Sequence, residues 1–167
     1  MSAPTLASTQ QVRQHTQYHD FVNKLEAELY RVGTHKFDIE HNFADGIYSR
    51  LIHIPAGMAL TSYVHKHEGF FAVLRGELNI ITEKEIFTIA AGFHGKTKAG
   101  TRRVGYAVTD CDFITYHATD IMPEEQTEQG YQKAVDLVEK EQFEMYDNPL
   151  LKQLLTEDSH SQQSIDK

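Results

Sequence analysis

His65 and His67 stand two residues apart. In an extended strand that spacing points both imidazoles to one face, where they could reach the same metal ion. Two imidazoles suit a divalent transition metal such as zinc, iron, nickel or manganese once other ligands complete the geometry, and His94, His117 and Glu68 are candidates to do so from neighbouring segments. Glu68 can join only if the chain bulges or turns straight after His67. The competing reading makes these interior histidines satisfied by ordinary hydrogen bonds. His117 shares strand parity with Phe113 and Thr115, so it faces an interior if they do. Arg102 and Arg103 point to opposite faces of any strand that holds them, so at most one enters a pocket. Arg103 is the candidate to grip a carboxylate or phosphate there through paired hydrogen bonds, the competing reading being a salt bridge or turn support. Tyr63 and Tyr106 are candidates to line an apolar cavity beside it, and the ligand implied is an anionic small molecule.

Other chemistries find less support. No two carboxylates have a spacing that argues for paired acid/base work. Gly95-Lys96-Thr97 lacks the glycine spacing and strand-to-helix context of a phosphate loop, and no serine elbow is present. Cys111, the one cysteine, lies between Asp110 and Asp112, whose negative charge disfavours a thiolate. The formal net charge of −8 opposes nonspecific contact with a phosphate backbone, so no nucleic-acid partner is expected. No apolar run approaches the roughly 20 residues that span a bilayer, and the first residues lack the order of a secretory signal. The expectation is a cytoplasmic protein, in a bacterial host cell, with no membrane partner.

A helix and a series of short strands must position these residues. Phe21, Val22, Leu25, Leu29 and Val32 recur at three- and four-residue steps and predict a helix from about Tyr18 to Gly33. Short strands follow in close order from Phe37 to His117, broken by Asp45-Gly46, Pro55-Ala56-Gly57 and Gly76, which argues for an antiparallel sandwich or closed barrel. Pro123-Glu124-Glu125 opens a second helix, whose apolar face runs from Tyr131 to Phe143, and Leu150 to Leu155 can form a third. Residues 1–11 and 157–167 read as loose tails. The 167 residues thus divide into a tail and helix over 1–35, a barrel over 36–119, and a helical extension over 120–167.

The stretch IPAGMALTSYVHKHEGFFAVLRG, ending at Gly76, resembles the first motif of the cupin family: a glycine turn at Gly57, the pair His65 and His67, and a hydrophobic strand closed by Gly76. Where that motif carries a glutamate this chain has Gly69, with Glu68 one residue earlier. Ala90-Ala91-Gly92 followed by His94 stands where the second motif would fall. Ala99 to Thr119 is similar to a group of cupin-like proteins found in bacteriophage genomes, with His117 at the end of the last core strand. The resemblance implies a mainly β fold, a cupin-like antiparallel β-barrel (double-stranded β-helix) with helical additions at both ends. It implies a small-molecule- or metal-binding protein, an enzyme of unstated reaction if catalytic. The alternative is a non-enzymatic, phage-associated assembly or regulatory protein that uses the barrel as a scaffold, with a protein partner on its terminal helices. Two amphipathic flanking segments also lead us to expect a homodimer.

Overall fold

The computed structural model describes residues 9–33, 36–144 and 148–156. Helix α1 runs from Thr9 to Arg31. It starts well before Tyr18, so residues 9–11, expected as tail, are helical. The polar first turns are tied down from outside: His15 Nδ1 meets Glu83 Oε2 at 2.9 Å and Gln14 donates to the Glu83 carbonyl. The tail residues 1–8 and 157–167 lie outside the described residues.

Ten strands follow: β1 (Asp38–Ala44), β2 (Ile47–Ile54), β3 (Ala59–Thr61), β4 (Val64–His65), β5 (Gly69–Arg75), β6 (Glu77–Ile81), β7 (Ile86–Ala90), β8 (His94–Thr97), β9 (Val104–Ala107) and β10 (Cys111–Ala118). Helix α2 (Glu128–Gln142) runs into the two-residue strand β11 (Phe143–Glu144), and residues 149–156 form a last helix. Thr127 caps α2 by accepting a hydrogen bond from the Gly130 amide, which satisfies one of the amides a helix start leaves free.

The strands do not close into a barrel, contrary to the sequence expectation. They form a five-stranded sheet in the order β1-β2-β10-β5-β8, a four-stranded sheet in the order β3-β9-β6-β7, and the pair β11-β4. All these pairings are antiparallel. The ladders end at β1 and β8 on one sheet and at β3 and β7 on the other, so the two sheets meet through side chains and not through a continuous ring of hydrogen bonds. The chain changes sheet where strands are broken, at Gly76 between β5 and β6 and at residues 62–63 between β3 and β4. With helices of 23 and 15 residues, the fold is mixed helix and sheet and not mainly β.

Alternation along each strand sends one set of side chains inward. Ile52 and Ile54, Phe71 and Val73, and Cys111 and Phe113 meet Leu78, Ile80, Ile89 and Ala107 of the other sheet in one core. Gly76 makes the tight corner between the sheets possible, because its φ of +82° suits glycine and a Cβ there would lie 2.0 Å from the Asp110 carbonyl oxygen. A second cluster joins Tyr48 to Val135 and Val138 of α2, with Phe43 and Ile121 against it. Helix α1 lies on its own chain's β3 side: Tyr18 donates to the carbonyls of Ile81 and Arg102, and Thr61 bonds Glu26. The stripe considered for a dimer contact therefore spends part of its face at home, with Val22 and Ala27 buried while Phe21 and Val32 stay exposed.

Candidate functional site

Between the two sheets the apolar core gives way to a cavity of about 70 Å³, room for about five water molecules. Ile52, Leu78, Ile80 and Phe113 give it apolar wall, and Arg50, His65, Thr97, Arg103 and Thr115 bring polar atoms to it. Each polar residue arrives by a local rule. Arg50 and Thr115 are paired partners on β2 and β10, so they share a face. His65 is the last residue of β4, held there by backbone bonds to Thr101 and Gly100 and by pairing with Phe143 of β11. Thr97 closes edge strand β8.

Arg103 carries the clearest electrostatic anomaly. Its guanidinium lies over the Phe71 ring at 4.6 Å and donates to the Thr97 hydroxyl. Its backbone amide donates to Ser62 Oγ at 2.9 Å. Among the described residues no carboxylate lies within ion-pair distance of it, and burial pulls its pKa down to about 10, against a smaller upward pull from Tyr18. Two nearby nitrogens are also unsatisfied: Arg50 Nε and His65 Nδ1 are buried without a hydrogen-bond partner. Arg50 Nη1 lies 3.7 Å from Glu139 Oε1, and its guanidinium carbon stands 5.2 Å from the Phe143 ring centre.

The two buried histidines lie side by side. His65 and His117 have ring centres 6.0 Å apart and nearly parallel planes, and Phe143 meets both edge-on at 5.0 and 5.3 Å. Burial, reinforced by the charges of Arg103, His117 and Arg50, lowers the His65 pKa to about 3. Burial and then Arg50 lower that of His117 to about 4. Both rings are therefore neutral at pH 7, each with one donor and one acceptor nitrogen; His117 Nε2 uses Thr115 Oγ1 at 3.1 Å. Tyr48 lies against His117 with ring centres 6.0 Å apart and planes tilted by 32°, and it stacks on His41, with which it shares a 2.6 Å hydrogen bond.

Of the residues proposed from sequence, the fold brings His65, His117 and Arg103 together and sends others elsewhere. Strand β4 stops at His65, so His67 sits in a bend and is exposed. Glu68 is exposed and paired with Lys96. His94 opens β8 opposite Ala72, exposed. Tyr106 turns outward from β9 at 44% exposure, and Tyr63 packs near Phe143 at 6.2 Å without lining the cavity. Sequence reasoning missed Arg50, Thr97 and Phe143. Arg50 shares strand parity with Tyr48 and Ile52, so the alternation of β2 already carried its signal.

These residues do not fit a transition metal. Among the described residues no group of three or more His, Cys, Asp or Glu side chains converges on one point. Two histidines alone leave the coordination incomplete. A side chain at position 69 could not add a carboxylate: a Cβ at Gly69 would lie 3.5 Å from His117 Nδ1 but only 2.8 Å from the Tyr116 carbonyl oxygen. Arg50 and Arg103 also put positive charge where a cation would sit. The arrangement suits an anion.

No family model and no curated protein matches the chain. Among solved structures it is similar to a cupin-2 domain containing protein from Shewanella frigidimarina, at 14% identity over 49% of this chain and 80% of that one, with a TM-score of 0.43. It is also similar to a conserved protein with a double-stranded β-helix domain from Klebsiella pneumoniae, at 17% identity over 51% and 78% with a TM-score of 0.46. An RmlC-like cupin protein from Desulfovibrio desulfuricans matches at 22% identity over 50% and 82% with a TM-score of 0.43. The likeness is one of chain path, over about half of this protein.

Proposed function

We propose that this protein binds a small organic anion, a carboxylate by preference, in the cavity between its sheets. The observation that carries the reading is Arg103: a half-buried guanidinium in the cavity lining with no carboxylate partner among the described residues, next to two orphaned polar nitrogens. A partly desolvated charge left unpaired is unfavourable, and a bound anion would return that cost as binding free energy. A carboxylate can take two parallel hydrogen bonds from a guanidinium. Neutral His65 offers a further donor or acceptor to a hydroxyl or amide on the same molecule, and Ile52, Leu78 and Phe113 cover its carbon atoms. The small volume limits the group held inside to a few heavy atoms.

Thermal unfolding with short monocarboxylates tests this. A ligand at about 100 times its Kd stabilises the folded state by about 2.7 kcal/mol, a readily measured rise in Tm. Butyrate should produce such a rise in the intact chain and none in Arg103→Met. An equal response of the two proteins would reject the reading, as would no response from either.

A further inference from the structure

The inner cavity is not a closed chamber. Thr97 and Arg103, which line it, also line a wider cleft of about 440 Å³ at the surface. The two spaces therefore adjoin at Arg103, which belongs to the lining of both. Phe71, under the Arg103 guanidinium, and half-buried Phe87 supply apolar wall to this cleft, and Lys84 and Lys98 stand in its lining. Lys84 lies in the β6–β7 turn and Lys98 in the β8–β9 loop, so two connections of the four- and five-stranded sheets bring them to the same opening.

The neighbouring charges are already spoken for. Lys96 is paired with Glu68, Glu83 with His15, and Arg102 with Glu26. Lys84 and Lys98 have no carboxylate within 4.0 Å among the described residues, and Glu85 is the remaining acid of the cleft. Cations thus prevail at this opening on a chain of net charge −8, a local reversal of sign that favours a negative group.

We infer that the ligand is an elongated organic dianion: one acid group lies inside on Arg103, an apolar body crosses Phe71 and Phe87, and a second acid group meets Lys84 and Lys98. This rests on the anion reading of the inner cavity and adds the ligand's length and second charge. The sequence could not show it, because Lys84 belongs to the β6–β7 turn and Lys98 and Arg103 to the β8–β9 loop, and only the fold brings the two connections together.

Calorimetric titration of the full chain with straight-chain α,ω-dicarboxylates from succinate to suberate, each against the monocarboxylate of equal length, tests the inference. Exposed ion pairs are individually weak, so a dicarboxylate long enough to span both spaces should bind about three- to tenfold more tightly than its monocarboxylate. The Lys84→Ala/Lys98→Ala double variant should lose that advantage and keep the monocarboxylate affinity. Equal affinities for mono- and dicarboxylates at every length would overturn the second subsite while leaving the inner site standing. So would a double variant that keeps the advantage. Binding of neither series would overturn both. Circular dichroism of the double variant shows that any loss is not one of folding.

Discussion

Arg102 and Arg103 are neighbours in sequence and opposites in surroundings. Arg102 turns under α1, where it donates to Asn23 Oδ1 at 2.9 Å and to the Ser62 carbonyl at 3.3 Å, and lies 3.6 Å from Glu26. Asn148 bonds both the Asn23 carbonyl and Glu26, so this cation anchors α1 and the start of the last helix onto the sheet. Arg103 turns between the sheets and finds a hydroxyl and an aromatic face but, among the described residues, no carboxylate. The first region is a satisfied network, which stabilises. The second is incomplete, and incompleteness in a cavity is what a binding site needs before its ligand arrives.

The largest expected effect separates the regions by pH. The fold favours neutral His65 and His117, held down at about 3 and about 4, so the unfolded chain takes up their protons first. Their contribution is intact above the ordinary histidine value of 6.5 and is lost as pH falls toward those folded values. Stability should drop by about 3–5 kcal/mol between neutral pH and the middle of that window, at up to about 1.4 kcal/mol per pH unit for each ring. Urea unfolding across the range, compared with His65→Gln and His117→Gln, measures it. Each variant should flatten the slope, and an unchanged slope would mean that the rings are not held neutral. Asp112, which Arg75 and His53 hold down at about 2, acts in the same sense but only at lower pH.

Next in size is Arg102→Met. It strands Glu26 and Asn23 after removing their cation, so unfolding free energy should fall by about 3 kcal/mol. Arg103→Met should do the reverse, leaving stability unchanged or raising it by about 1 kcal/mol, because the half-buried charge it removes strands no carboxylate among the described residues and leaves only the Thr97 hydroxyl without its donor. Denaturant curves of both variants, read with carboxylate titrations, decide the comparison. If Arg103→Met destabilises the fold as much as Arg102→Met, both arginines are structural.

Smallest is Thr97→Val. Its hydroxyl accepts from Arg103 and fixes the guanidinium against Phe71. Losing one such bond should weaken carboxylate binding by about 1 kcal/mol, roughly fivefold, with little change in Tm. A purely structural Thr97 would show the opposite pattern.

Much of the architecture was legible along the chain. The helical stripe, the glycine corner at Gly76 and the alternation of β10 are local patterns, and they predict strand interiors such as Phe113, Thr115 and His117. The errors fell where local pattern meets tertiary constraint. His65 and His67 looked like a pair because strand parity was extended through a segment that bends after His65. The barrel looked closed because short strands in sequence say nothing about whether the last edge finds the first.

By itself the sequence determined the antiparallel strands and the flanking helices, because these follow from side-chain periodicity; the opposite surroundings of Arg102 and Arg103 do not, since both lie in the loop before β9 and not in a strand. Only the tertiary structure decided which arginine is compensated, because Asn23 and Glu26 lie far from Arg102 along the chain and reach it only when α1 docks. It also decided that the histidines sit beside guanidinium groups and not carboxylates. Gly69 leaves no space for a side chain toward His117, and the backbone of β10 fills that space. Charge balance in a cavity is a sum over distant segments, and no local pattern computes it.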